Sequence, residues 1–363
     1  MKISTTMEQS LRISSPDSSS PRAQAADWFE LSTLAAGRTG YSLASLLGAL
    51  NIQEQPSDLI EDEGGVVEDE ILEIKYEAFS DDLLTEIQWR SAVLQDLYPF
   101  EIQRSTTTWK LIRRRATDGS TRSAHMVYLV CLVIAATRYG FLTDPDAEKL
   151  WSTSPRVFQI VAHLTSRGLF RGSSFWMGSP RPERDGYAPA LKRLVGKLEV
   201  GVTKEKPPVS QQGWVKDGGI DVIAWRPFRD RRPTPVLSYG QVASGQDWET
   251  KSVEATLDSH FHNWMIDRPS KWFLPAMYIP FMQHESVAPR VGADFDEVAH
   301  SKSVALELRL GLVIDRLRLT ELSPDALARA TEEDQALAAE VIRWLALATR
   351  KLRGTDHELV VGA

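Results

Sequence analysis

A carboxylate and an amide that could share one metal ion stand in two short, apolar segments of the chain. Residues 216–225 read Lys-Asp-Gly-Gly-Ile-Asp-Val-Ile-Ala-Trp, and residues 239–245 read Tyr-Gly-Gln-Val-Ala-Ser-Gly. The two glycines allow a sharp turn, which would put Asp221 near the start of a strand. If the two segments pair, Asp221 and Gln241 can converge on one ion. Because Mg²⁺ prefers oxygen ligands, the pattern predicts a divalent-cation site, for Mg²⁺ or Mn²⁺, held by these two residues.

This pairing of motifs resembles the core of the PD-(D/E)xK, or restriction-endonuclease-like, nuclease superfamily, and especially its Mrr-like branch. Members carry an Asp on one strand and a (D/E/Q)-x-K pattern on the next. Asp221 matches the first element and Gln241 the second, whereas Ala243 stands at the lysine position and departs from the pattern. The resemblance covers roughly residues 180–265, and the two motifs together are more specific than either alone.

The resemblance also directs attention to a lysine and a glutamate outside the two strands. Members sometimes supply the lysine from a neighbouring helix, and Gly245–Lys251 is expected to open such a helix. Lys251 would then stabilise charge in the transition state, although an exposed helix lysine is the alternative. The family often carries a Glu on the preceding helix, for which the candidates are Glu199, placed in the catalytic set, and Glu183. Asp217, before Gly-Gly, is better explained by turn chemistry.

The resemblance implies a metal-dependent endonuclease that hydrolyses phosphodiester bonds in nucleic acid, first of all DNA, in restriction or anti-phage defence. The metal would polarise the scissile phosphate and lower the pKa of the attacking water. Because Ala243 replaces the lysine, the alternative is a nuclease fold that has lost cleavage and serves as a DNA-binding or assembly subunit of a defence complex. A third possibility is a protein-interaction factor, based on the acidic cluster within residues 61–70. A protein partner or a homo-oligomer also stays open.

Two basic stretches could hold a phosphate backbone. One ends an expected strand at Arg113–Arg115, and the other borders the proposed metal site and contains Arg226, Arg229, Arg231 and Arg232. Each arginine that neutralises a phosphate adds salt-dependent affinity, so these residues are the predicted nucleic-acid contacts. Solvated surface is the alternative for both stretches.

Composition limits the class of protein. The net charge of -7 argues against coating nucleic acid through bulk charge, but not against a local basic surface. The single cysteine, Cys131, excludes an internal disulfide and a Cys-rich zinc site. Residues 1–20 lack an apolar signal region, and the longest apolar run, residues 126–136, is shorter than the roughly 20 residues of a membrane span. We therefore expect a soluble, cytoplasmic protein without a membrane partner.

The spacing of hydrophobic residues predicts an α+β or α/β protein in three parts. Residues 1–25 are expected to be a disordered leader and residues 26–150 a mainly helical domain. Residues 151–363 are expected to form a restriction-endonuclease-like domain, with a small mixed sheet flanked by helices and a C-terminal helix.

Individual elements follow from the same spacing. Residues 125–139 are apolar on nearly all sides and predict a buried central helix. Residues 219–225 and 236–244 predict a hairpin with a long loop. Residues 247–265 predict a helix, residues 305–314 a strand, and residues 324–352 one terminal helix. The segment Asp-Arg-Leu-Arg-Leu at residues 315–319 places charges after that strand, without an assigned chemistry.

Overall fold

The computed structural model describes most of the chain as one mixed α and β structure with a mixed sheet flanked by helices. The described residues are 13–14, 20–46, 48, 65–106, 108–142, 145–206, 208, 218–230, 232, 236–287 and 294–353, of which 65–76 and 145–146 are described by their backbone alone.

The elements alternate between helices and short strands along the chain. The helices are α1 (Arg22–Ala36), α2 (Gly65–Leu94), α3 (Gly119–Arg138), α4 (Pro145–Leu169), α5 (Tyr187–Leu198), α6 (Val253–Thr256), α7 (Phe295–Leu310), α8 (Arg316–Leu327) and α9 (Glu332–Arg353). The strands are β1 (Tyr41–Ser42), β2 (Phe100–Arg104), β3 (Trp109–Arg113), β4 (Ser173–Trp176), β5 (Val202–Thr203), β6 (Val222–Arg226), β7 (Val236–Val242), β8 (Met265–Asp267), β9 (Leu274–Tyr278) and β10 (Leu312–Ile314). Short non-α turns span Gln95–Leu97, Gln246–Thr250, Leu257–Phe261 and His262–Trp264.

The main sheet has five strands in the order β10-β9-β7-β6-β4. Strands β4, β6 and β7 are antiparallel neighbours, whereas β9 and β10 continue the sheet in parallel with β7. The predicted hairpin is confirmed, with Val222 opposite Gly240 and Arg226 opposite Val236. Two smaller sheets pair β1 and β2 with β3, and β5 with β8.

The two faces of the main sheet enter different cores because successive strand residues point to opposite sides. Val222 and Tyr278 pack in a core with side chains of α1, α3, α4, α8 and α9. Ile223 and Met277, one position away, pack in a second core with side chains of α5, α6 and α7. Helices α4 and α6 therefore cover opposite faces of the sheet.

Helix α3 lies at the centre of the first core, as its apolar sequence predicts. Asp118 caps it by accepting a hydrogen bond from the Thr121 backbone N–H, and Val130–Ala136 are fully buried. Of the described helices, α3 is the one whose length and composition would allow it to cross a membrane, but 72% of its apolar window is buried inside the structure. This burial fits the core helix of a soluble protein.

The helical half and the sheet share this core. The expected boundary after residue 150 falls inside α4, and α8 packs on both α3 and α4. Part of the expected leader is also integrated into the fold: α1 begins at Arg22, and Ala23 and Ala25 are buried. The prediction of disorder is wrong for residues 22–25, since small alanine side chains allow close helix packing there. Residues 1–12 and 15–19 lie outside the described part.

Three element predictions are corrected by the structure. The expected strand at residues 305–314 is mostly helix α7, which buries Leu306 and Leu310 at i and i+4 while Leu308 is 85% exposed. The helix ends at Gly311, whose positive φ of 82° suits glycine, and only Leu312–Ile314 form a strand. The segment has an apolar residue at every second position, a spacing typical of a strand. In the helix, only the leucines at i and i+4 face the core.

The other two corrections concern helices that are interrupted. The expected terminal helix over residues 324–352 is two helices, because the Asp334 carboxylate accepts a hydrogen bond from the Thr331 backbone N–H and starts α9 anew. The expected helix over residues 247–265 is divided into four short pieces. Ser252, whose hydroxyl accepts from the Ala255 backbone N–H, starts a new helix within it.

Candidate active site

A tight glycine turn places Asp221 at the start of β6. Gly218 and Gly219 have φ values of 65° and 75°, a region that side-chain-bearing residues rarely adopt. A Cβ on Gly219 would stand 2.4 Å from Thr256 Cγ2, so any larger residue would collide with α6. The Asp221 backbone is then fixed on both sides: its N–H donates to Gly240 O at 2.9 Å, and its carbonyl accepts from Met177 N at 2.7 Å.

The Asp221 carboxylate is half-buried and hydrogen-bonded at both oxygens. Oδ1 accepts from Nε2 of Gln159, on α4, at 3.1 Å, and Oδ2 accepts from the Val242 backbone N–H at 2.8 Å. Gln159 Oε1 in turn accepts from Trp176 Nε1 at 3.2 Å, which fixes the orientation of the amide. A Cβ on Gly178 would lie 2.8 Å from Oδ1, so glycine is required for the close approach. The carboxylate is thus held firmly toward α4.

Gln241 is buried on β7, and its two polar atoms differ. Nε2 donates to Gly219 O at 2.8 Å and to Thr256 Oγ1 at 3.0 Å. Oε1 is buried without a hydrogen-bond partner among the described residues. A buried acceptor that lacks a donor is costly, and such an atom marks a place where an unbound donor or cation would be stabilised.

The structure brings Asp221 and Gln241 to the same end of the β6–β7 pair, as predicted. Val222 stands opposite Gly240 in this antiparallel pair, so the next positions outward, Asp221 and Gln241, lie beside one another. Their hydrogen bonds nevertheless run to different helices, α4 for the carboxylate and α6 for the amide, which cover opposite faces of the sheet. In this conformation the hydrogen bonds therefore hold the Asp221 carboxylate and the Gln241 amide apart, and the two groups do not converge on one point as predicted.

The remaining predicted catalytic residues lie at the ends of elements. Lys251 is exposed and follows the Gln246–Thr250 turn, its N–H donating to Trp248 O at 3.2 Å. It is therefore not two turns into a helix, as expected, because α6 starts only at Val253. Glu199 is exposed and ends α5 with a left-handed φ of 56°. Glu183 forms an ion pair with Arg193 at 3.0 Å.

Ala243, at the lysine position of the resemblance, is buried in the second core, and its N–H donates to Tyr278 O at 2.9 Å. Lys216 and Asp217, which come just before the glycine turn, lie outside the described residues. Among the residues that are described, no group of three or more His, Cys, Asp or Glu side chains could hold a metal ion.

The predicted phosphate-binding arginines stand at the other end of the hairpin. Arg226 closes β6 and is exposed, and Arg229 and Arg232 lie in the following loop. At a rise of roughly 3.3 Å per residue, Arg226 is about 17 Å along the strand from Asp221. Arg232 pairs with Asp230 at 3.6 Å in an exposed position, and Arg231 lies outside the described residues. The structure does not bring this stretch to the Asp221 end.

Gln159 is a site residue that no sequence pattern indicates. It lies in the middle of α4, some 60 residues before Asp221, and no spacing rule connects the two positions. Its contact exists only because α4 packs across β4 and β6.

A buried charge network is the second feature that sequence reasoning missed. Arg316 donates to both oxygens of Asp27, at 2.7 and 2.6 Å, and Arg90 donates to Asp27 at 2.7 Å and to Glu30 at 3.0 Å. All four side chains are at most 1% exposed. These bonds join α1, α2 and α8 through the middle of the first core.

Burial and neighbouring charges shift the pKa values of two carboxyl groups in this network in opposite directions. Burial raises the pKa of Glu30 above its usual value, although Arg90 and Arg316 oppose the shift. Glu86, on α2, joins the network because its Oε1 accepts from Arg90 Nε at 2.9 Å and lies 3.0 Å from His284 Nε2. Burial acts to raise the pKa of Glu86, but Arg90 and His284 outweigh it and hold that pKa far below its usual value. Acidic residues at i and i+3 on the apolar helix α1, Asp27 and Glu30, were the available sequence signal. The network is closed to solvent and therefore ties elements together without reaching a substrate.

A parallel contact anchors the loop that carries Lys251. Glu285 accepts from Arg138 Nη1 at 2.5 Å, from the Tyr139 hydroxyl, and from Trp248 Nε1 at 3.3 Å. Trp248 is 1% exposed, so the turn after β7 is fixed to α3.

Neither a family model, nor a curated protein, nor a solved structure matches this chain.

Proposed function

We propose that the protein is a metal-dependent nuclease that hydrolyses phosphodiester bonds in nucleic acid, first of all DNA, with the five-stranded sheet and its flanking helices as a restriction-endonuclease-like fold working in the cytoplasm. One observation carries the proposal: the glycine turn and the β6–β7 register bring Asp221 to the same strand end as a buried Gln241 Oε1 that has no hydrogen-bond partner among the described residues. The mixed sheet flanked by helices supports the assignment.

The donor types at this strand end suit a hard cation. Mg²⁺ takes one or two protein oxygens and keeps water and substrate phosphate as its other ligands. Asp221 and Gln241 Oε1 would be those protein ligands, and Mg²⁺ or Mn²⁺ would polarise the phosphate and acidify a water molecule. Gln159, by donating to Asp221 Oδ1, orients the carboxylate in the absence of a cation.

Lys251 contributes a positive charge on a flexible stem in this proposal. Its side chain is exposed, and the loop that bears it is fixed by the buried Trp248. Such a lysine can approach a phosphate oxygen at the Asp221 end and stabilise its developing negative charge.

The test compares cleavage by the native protein, Asp221→Asn and a matched control, Asp267→Asn. Asp267 is exposed on β8, so the control makes the same charge change away from the proposed site. Plasmid DNA, single-stranded DNA and RNA are incubated with Mg²⁺ or Mn²⁺. We expect cutting by the native protein and the control, and none above background by Asp221→Asn. Equal cutting by all three would refute the role of Asp221.

A second function, a nuclease fold that binds DNA without cutting it, is favoured by different observations. Ala243 fills the lysine position inside the core, and both Asp221 oxygens already accept hydrogen bonds. This function predicts DNA retention without metal that is unchanged by Lys251→Ala. Replacing Arg226 and Arg229 with alanine should then lower the slope of log affinity against log salt by about 0.9 for each phosphate that is no longer neutralised.

A further inference from the structure

A large cavity lies away from the candidate active site, among β3 and helices α3, α4, α8 and α9. Its volume is about 1130 Å³, slightly more than the roughly 300–1,000 Å³ typical of small-molecule sites. It shares no lining residue with the Asp221 site, although α4 contributes to both.

The floor of the cavity is aliphatic. Leu129 and Val161, from α3 and α4, are almost completely buried beneath it, and Leu164, Ile342 and Leu345 also line it. Ile342 is 53% exposed, so the cavity also has apolar surface that solvent reaches. His125 is the only ring among the described lining residues, and its Nε2 is already in contact with Asp96 O at 3.1 Å. The floor thus offers contact to a hydrocarbon chain and little stacking surface for a nucleobase.

The rim of the cavity is positively charged. Five lining arginines have no ion pair with a carboxylate of the described chain: Arg38, Arg113, Arg115, Arg122 and Arg353. The rim arginines that do have such pairs are Arg114, with Asp96, and Arg167, with the lining residue Asp334. The uncompensated charge at this rim therefore comes from arginines alone.

Two of these arginines act on one another. Partial burial, and then the neighbouring Arg353, lower the pKa of Arg113 below its usual range. Like charges placed together without a carboxylate are unfavourable until an anion lies between them. Guanidinium groups suit such an anion because they donate two hydrogen bonds in one plane to a carboxylate or a phosphate.

We propose that this cavity binds an aliphatic anion, with the hydrocarbon chain on the Leu129–Val161 floor and a carboxylate or phosphate headgroup at Arg113 and Arg353. The aliphatic floor provides affinity in proportion to the apolar area that it covers. The arginines select the charged headgroup and set the direction in which the chain enters. This binding is independent of the proposed nuclease activity and can be tested without it.

Calorimetric titration of the full chain separates the two parts of the ligand. Dodecyl phosphate and dodecanoate, kept below their micelle concentrations, carry both the chain and the charge. Dodecyl maltoside carries the chain alone, and inorganic phosphate the charge alone. We expect both anions with a chain to bind. Dodecyl maltoside should bind at least about tenfold more weakly, since one charge-assisted hydrogen bond accounts for a factor of that order. Inorganic phosphate should also bind at least about tenfold more weakly, because it lacks the apolar area of the chain. The stronger of the two binding anions identifies the headgroup.

Two variants locate the bound ligand. Arg113→Gln combined with Arg353→Gln removes the paired charges and should weaken dodecyl phosphate binding by about tenfold or more. Arg309→Gln, at an exposed arginine in the last turn of α7 that does not line the cavity, is the matched control and should bind like the native protein. Because Arg113 and Arg353 make no ion pair with a carboxylate of the described chain, the variant should fold, which far-UV circular dichroism checks.

Four results would overturn the proposal. Dodecyl maltoside could bind as tightly as dodecyl phosphate, which would make this an apolar docking groove. Adenosine triphosphate, titrated in the same way as a fifth ligand, could bind more tightly than either dodecyl anion, which would make the cavity a nucleotide site. The Arg113 and Arg353 variant could bind dodecyl phosphate like the control, or neither dodecyl anion could bind the native protein.

Discussion

Replacing Arg316 with methionine should destabilise the protein more than any exposed charge change. Arg316 is completely buried, donates to both Asp27 oxygens and also donates through Nε to Pro280 O at 3.0 Å. Its loss leaves Asp27 with Arg90 as the partner at 2.7 Å. Breaking a buried ion pair by removing one partner typically costs about 3–5 kcal/mol, because the remaining charge stays buried. We expect a value near the lower limit, since Arg90 still compensates part of the charge.

Urea unfolding, followed by tryptophan fluorescence and circular dichroism, measures this cost. The matched control is Arg171→Met, which breaks an exposed pair with Asp325, whose side chains are 65% and 43% exposed. Exposed pairs contribute roughly 0–1 kcal/mol, so the control should unfold almost like the native protein. If Arg316→Met loses no more free energy of unfolding than Arg171→Met, the buried network does not join the helices in the way described.

A double variant tests whether the cost comes from the unpaired charge. Asp27→Asn combined with Arg316→Met removes both partners of the bidentate contact. The combined loss should be smaller than the sum of the single losses by about 1 kcal/mol or more, as expected for residues in direct contact. Additive losses would show that Arg316 stabilises the core through packing instead of through its charge.

Three further predictions follow from single contacts. Burial lowers the pKa of His163 below 6.5, so folding stability should fall as the pH drops through that value, and His163→Gln should flatten part of the decrease in unfolding experiments at a series of pH values. Gly219→Ala should cost about 1–3 kcal/mol because φ is 75° and the new Cβ would meet Thr256, and adding Thr256→Ser should recover part of this in thermal unfolding. Gln159→Leu removes the donor to Asp221 Oδ1 and should tighten Mn²⁺ binding about tenfold in calorimetry; weaker binding would contradict a competition between donor and cation.

Local spacing was sufficient for elements whose packing uses a simple period. The hairpin of β6 and β7 and the buried helix α3 follow directly from runs of apolar residues and glycine turns. The segment at residues 305–314 shows where this fails, since its alternating leucines satisfy a strand period and a helical i, i+4 pair equally well. Only the core below α7 decides between the two patterns.

The charge network required information that spacing does not contain. Asp27 and Arg316 are 289 positions apart, and their bidentate contact depends on α1 and α8 meeting in one core. The sequence indicated a charged segment at residues 315–319 but no chemistry for it. Its residues have different structural roles. Asp315 caps α8 by accepting a hydrogen bond from Arg318 N at 3.1 Å, whereas Arg316 is buried and donates to Asp27.

The strand pairing that places Asp221 beside Gln241 was predicted from the sequence, but the direction of the two side chains was not. That direction separates the two proposed functions. Strand periodicity puts Asp221 and Gln241 opposite one another, but helices from elsewhere in the chain decide where their polar atoms point. A hydrogen bond to a charged group contributes about 1.5–3 kcal/mol, so releasing Gln159 from Asp221 would weaken cation binding by roughly ten- to a hundredfold. That cost lowers the affinity for a metal without forbidding it. If the binding of cation and substrate offsets the loss of the Gln159–Asp221 hydrogen bond, the sheet can act as a nuclease. If it does not, the sheet can only serve a binding subunit.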